Sequence, residues 1–95
     1  MRIKTEEIEF VKEMIVSILP EASVFMFGSR SSNDLKGGDI DLLVLAERPL
    51  NNQEKRNIRI AFYKEFGEQR IDITSFRRED TSVFKDLALL EAIKI

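Results

Sequence analysis

Cysteine and histidine are both missing from this chain. Without cysteine there is no disulfide framework and no thiolate chemistry. Without histidine there is no Ser–His or Cys–His catalysis and no histidine-based zinc site. No run of about 18 apolar residues occurs, so no membrane span is expected. The first ten residues, MRIKTEEIEF, carry no signal-type apolar core, and a cytoplasmic setting fits. An excess of one charge sign is lacking too. Fifteen Lys and Arg stand against seventeen Asp and Glu, for a net charge of −2, which is not the balance of a protein that grips nucleic acid through bulk charge. Any chemistry must therefore come from carboxylates, Lys, Arg, Ser, Thr or the single tyrosine, Tyr63. Carboxylates suit hard cations such as magnesium.

What is present is enough for one domain spanning 1–95 with a modest core: 95 residues, 43% of them apolar. No repeat, linker or low-complexity tract interrupts it. Residues 5–19 read as a helix, with Thr5 as cap, acids in the first turn, an apolar stripe of Ile8, Val11, Ile15 and Ile18, and Pro20 as stop. SVFMF, residues 23–27, reads as a buried strand, and DIDLLVLA, residues 39–46, as a second. The polar segment 29–38 between them has room for one helical turn. Residues 52–66 read as a helix with Ile58, Ala61, Phe62 and Phe66 on one side and Gly67 as its stop. RIDITSF, residues 70–76, alternates as a third strand, and residues 79–93 read as a last helix. The order predicts an α/β (α+β) fold, a small mixed sheet of at least three strands flanked by about four helices.

The second strand must be buried, yet it begins with two acids. Residues two apart on a strand share a face, so Asp39 and Asp41 project together while Ile40 turns into the core. Asp72 is the one charge between Ile71 and Ile73 in the third strand. If these strands are neighbours, three carboxylates converge. Ionised aspartates so close repel, and burying them is costly unless they are compensated. A divalent cation compensates them, and a pair of such cations is the arrangement used in phosphoryl and nucleotidyl transfer. Taken singly, each aspartate also reads as a turn or edge-strand residue facing water.

Gly28 follows the first strand directly. It permits a tight turn and close approach of a ligand to the backbone. Ser29 adds a hydroxyl and an N–H, and Arg30 a positive charge. Such a turn suits phosphate oxygens, although a glycine–serine turn alone is weak evidence.

Together, Gly28-Ser29, a nine-residue spacer and Asp39-x-Asp41, with Asp72 as a third carboxylate, resemble the signature of the nucleotidyltransferase superfamily that includes DNA polymerase beta. The resemblance spans residues 23–76, and the short chain looks like the minimal nucleotidyltransferase (MNT) family. It implies the nucleotidyltransferase fold and an antitoxin of a two-gene pair whose toxin is a HEPN-domain RNase. The implied activity is transfer of AMP from ATP to a tyrosine of that toxin. The same resemblance implies that Asp39 and Asp41 hold the nucleotide's magnesium, that Asp72 completes a second magnesium site, and that Gly28 and Ser29 bind the triphosphate. Arg30 neutralises phosphate or is a solvated surface residue; Lys36 is a weaker candidate for the same task. No bulk nucleic-acid binding or membrane contact is expected.

The last helix bears on partners. Val83, Leu87 and Leu90 share one face, Leu89 and Ile93 another, with Phe84 flanking the first. That exceeds the single stripe a surface helix needs, and points to a second contact with another copy or a toxin, or to a helix wrapped on two sides. Lys55, Arg56 and Arg59 form a basic face that suits solvent, an acidic partner or a nucleotide. Three functions stay open: catalytic antitoxin, binding module that neutralises a toxin by occlusion, and transfer to a small molecule or RNA end. The chain carries no evident domain to define the last kind of acceptor.

Overall fold

The computed structural model describes residues 5–26, 40–67 and 70–95. Along the chain lie α1 (Thr5–Ile18), β1 (Ser23–Met26), β2 (Ile40–Ala46), α2 (Asn52–Phe66), β3 (Ile71–Arg77), α3 (Val83–Glu91) and β4 (Ile93–Lys94). Among the described residues the strands form one sheet in the order β3-β2-β1-β4. β1 runs antiparallel to β2 and to β4, while β2 and β3 are parallel. A parallel pair needs a crossover, and α2 supplies it. The segment at 29–38, read as room for a further helical turn, lies outside the described residues.

The period-two pattern of β2 sorts its side chains. Ile40, Leu42, Val44 and Ala46 enter the main core with Val11, Ile15, Ile58, Phe62, Ile71 and Ile73, so α1 and α2 cover that face. Phe62 is fully buried and meets the ring edge of Phe10 at 6.1 Å between centroids. Leu43 and Leu45 turn to the opposite face, where they pack with Ala88 and against Phe25, Phe76 and Leu89. α3 covers that second face, and the two clusters are why β2 is apolar almost throughout.

α2 has well-marked ends. The Asn51 side chain accepts from the Glu54 amide at 2.8 Å, and the Glu54 carboxylate accepts from the Asn51 amide at 3.0 Å, a reciprocal cap of two otherwise orphan donors. Glu54 also takes both Arg48 nitrogens, at 2.9 and 2.8 Å. At the other end Gly67 adopts φ +90°, and its amide donates to Tyr63 O. A side chain there would be strained by the backbone alone.

The last helix is shorter than its apolar run predicts. Residues 78–82 form a turn instead: the Asp80 carboxylate accepts from the Arg77 amide, and Ser82, in extended conformation, caps α3 by accepting from the Lys85 amide. At the other end, residues 93–94 leave the helix and pair with β1, Ile93 opposite Met26 and Lys94 opposite Phe25. The free edge of β1 offers backbone groups that a strand can satisfy, and this outweighs continuation of the helix. The third strand likewise runs one residue later than expected, 71–77.

Candidate active site

Three strand ends meet at one end of the sheet. β1 ends at Met26, which lies opposite Leu42; β2 begins at Ile40, which lies beside Ile71 at the start of β3. The Ile40 amide donates to Arg70 O at 2.9 Å, carrying the ladder to the edge of the site. Gly28, Ser29, Arg30, Lys36 and Asp39 fall in 27–39, outside the described residues.

The other two expected aspartates come together. Asp41 and Asp72 are direct partners in the parallel register of β2 and β3. Both sit on the face that carries Leu43 and Phe76, while Ile40 on one side and Ile71 and Ile73 on the other point into the main core. Adjacent strands lie about 4.8 Å apart, so the two carboxylates are held side by side by backbone pairing, not by flexible side-chain choice. Asp41 is half-buried on a central strand; Asp72 is on the edge strand, with 54% of its side chain exposed. Their mutual repulsion is roughly 1 kcal/mol in water-like surroundings and grows as water is excluded.

Arg70 partly offsets that charge. Its Nε lies 3.9 Å from the Asp72 carboxylate. This residue was not singled out in the sequence, although its position two before Asp72 is the same same-face spacing that pairs Asp39 with Asp41. Oxygen donors on rigid strands, with an edge open to solvent, fit a hard divalent cation that keeps positions for other oxygen ligands. Among the described residues, no group of three or more acids, histidines or cysteines gathers to hold a metal.

Elsewhere several polar groups are committed to structure. At the opposite end of the sheet Arg78 donates to Ser23 Oγ and to Glu21 O, and the Glu21 carboxylate accepts from the Glu47 amide. Lys85 was hidden from the sequence reading as well. It is buried, and its Nζ donates to Arg78 O at 2.6 Å and Asp80 O at 2.8 Å. The apolar helical pattern around it gave no signal that the one polar residue of that helix's buried side would face inward. Arg56 and Arg59 are exposed on α2 and Lys55 half-buried.

Residues 8–94 match the family of the nucleotidyltransferase domain. A probable protein adenylyltransferase MntA of Haemophilus influenzae is 32% identical over 72 residues, which make up 75% of this chain and 63% of that protein. The match thus spans less than two thirds of the relative's length. A toxin–antitoxin crystal structure with AMP-PNP superposes with a TM-score of 0.68 at 18% identity, covering 90% of this chain and 69% of the matched one. The toxin–antitoxin MntA–HepT gives 0.68 at 15% identity, over 96% and 70%. A tri-AMPylated Shewanella oneidensis HEPN toxin in complex with MNT antitoxin gives 0.61 at 18% identity, over 93% and 70%. At these identities the structural likeness is one of fold: a small mixed sheet with helices on both faces.

Proposed function

The chain belongs to the nucleotidyltransferase domain family, and from that premise we propose that it is a magnesium-dependent adenylyltransferase that moves AMP from ATP onto a tyrosine hydroxyl of a HEPN-domain RNase toxin, and so acts as an antitoxin. The observation that carries the reading is the register pairing of Asp41 with Asp72 on the open end of the sheet. Two like charges side by side are a poor choice for stability, and a good one for an ion shared with a triphosphate. The similarity to a probable protein adenylyltransferase supports a protein acceptor.

Asp41 and Asp72, together with Asp39, are the residues that would hold magnesium. When bound, magnesium supplies neutralisation of phosphate charge and a lowered pKa for the attacking hydroxyl. The chain's own part is positional. Asp41 and Asp72 are fixed by the ladder, and Arg70 moderates their charge from the outer side. Gly28, Ser29 and Arg30, next after β1 in the sequence, are assigned to the triphosphate. In the transfer, the tyrosine oxygen forms a bond to the α-phosphorus, the bond to the bridging oxygen breaks, pyrophosphate leaves and the hydroxyl proton passes to water. The setting is cytoplasmic, and residues 1–95 act as a single domain.

Co-expression with the cognate HEPN toxin tests this. Mass spectrometry of the toxin is expected to show added AMP, absent when Asp41 and Asp72 are both changed to Asn. The second reading, occlusion without chemistry, is favoured by one feature, the exposed apolar side of α3. It would be established by a double variant that protects cells fully while no modified toxin is found.

A further inference from the structure

Helix α3 turns its most apolar side away from the protein. Ala88 and Leu89 pack toward the sheet with the buried Lys85. On the other side Val83, Leu87 and Leu90 are exposed, Val83 75% and Leu90 80% accessible, and half-exposed Phe84 flanks them with its ring against Phe76. Scattered exposed apolar residues are ordinary, but four large ones together on the side of a nine-residue helix mark a contact surface. We infer that this outward face of α3 is the docking surface for the acceptor protein, which presents an apolar patch rimmed by lysine and arginine. The inference rests on the proposed adenylyl transfer to a protein and names where that protein sits.

Two observations select this occupant. The first is position. α3 lies on the sheet face to which Asp41 and Asp72 belong. The helix starts after the far end of β3 and leads the backbone back toward Met26, with which Ile93 pairs and which lies opposite Leu42, the neighbour of Asp41. A protein seated along α3 is therefore held against the end of the sheet where the carboxylates project. The second is charge. Lys85, the one base of α3, is turned inward, so the helix's exposed charges are the acids Asp86 and Glu91. An RNase needs a cationic surface for its own substrate, and an acid-rimmed apolar strip complements it. A second copy of this chain packed through α3 would instead bring together two helices whose exposed charges are both acidic.

The test uses the whole chain and the purified cognate HEPN toxin. Leu87→Glu/Leu90→Glu is expected to raise the toxin's Kd, and its KM in AMP transfer, about tenfold or more, with kcat and Mg-ATP affinity within about twofold of wild type. Asp86→Lys is expected to give a smaller rise, and added salt to weaken wild-type binding. Leu87→Ser serves as the milder variant, with circular dichroism checking that each is folded. A control on the other side, Arg56→Glu/Tyr63→Ala on α2, is expected to leave toxin binding unchanged. Unchanged toxin Kd in folded α3 variants overturns the inference, as does loss of binding in the α2 variant alone. So does light scattering in which wild type is dimeric, the α3 variant monomeric, and toxin Kd the same in both. Because Kd is read without ATP, docking on α3 stands or falls separately from the chemistry. Wild-type protein that binds the toxin through α3 but never transfers AMP upholds the surface and sinks the transferase reading.

Discussion

Asp41 and Asp72 are directly opposed across the parallel pairing of β2 and β3. Each is held by backbone ladder bonds, so a change of charge at either position leaves its placement intact. Asp72→Asn is expected to lower AMP transfer by roughly 10²-fold or more, about 3 kcal/mol of transition-state stabilisation, while keeping most of the nucleotide affinity. Asp41→Asn, on the central strand, is expected to lose both. Thermal unfolding should show Asp72→Asn as stable as wild type or slightly more so, because repulsion is relieved. A variant that unfolds, or one that transfers at the wild-type rate, contradicts the assignment.

Magnesium and ATP are expected to bind cooperatively. Three carboxylates supply too few ligands for a tightly held free ion and leave positions for phosphate oxygens. Calorimetry should give tighter magnesium binding with ATP than without, and Asp41→Asn should abolish the difference. Equal Mg-ATP binding by both proteins would sink the metal assignment.

Acid sensitivity is expected to trace in part to Glu54. Its paired hydrogen bonds from Arg48, and the one from the Asn51 amide, hold its pKa down to about 2, from 4.5 ordinarily. A carboxylate depressed in the folded state stabilises the fold above its unfolded value and loses that contribution as pH falls. The contribution is therefore complete above about pH 5 and fades from there toward pH 2. Urea midpoints recorded from pH 7 to pH 2 should fall less steeply for Glu54→Gln than for wild type. Parallel curves would refute the linkage.

Lys85→Met should destabilise although it is apolar and of similar length. The ammonium satisfies two carbonyls of the β3–α3 turn, and leaving them without a partner costs about 2–3 kcal/mol. For a domain of this size that is about a 10 °C or greater fall in melting temperature. An unchanged melting temperature would mean that the turn finds other donors.

Much of this was legible beforehand. The helix at 52–66 was bounded by its own chemistry, a polar start and Gly67 at φ +90°. The alternation in β2 told which residues face the core, because a strand's period is set by covalent geometry. For the same reason Asp72, flanked by two buried isoleucines, stood out as a carboxylate placed on purpose. The bounds of the last helix are not legible in its own sequence, because they depend on partners outside it. Residues 79–82 have helical neighbours but are recruited into a turn by Arg77, Ser82 and Lys85, and residues 93–94 follow the vacant edge of β1. Val83, Leu87 and Leu90 were recognised as one face, but spacing cannot say whether a face looks in or out.

By itself the sequence determined where strands and helices can form and which residue types are available for chemistry, since both follow from local geometry and from what is absent. Only the tertiary structure decided that β2 and β3 are neighbours in a register that sets Asp41 beside Asp72, and that α3 offers its apolar side to the outside. Register and helix facing are settled by packing between segments distant along the chain. The deciding energy there is the burial of Leu43, Leu45 and Ala88 against one another, a term that belongs to no segment alone.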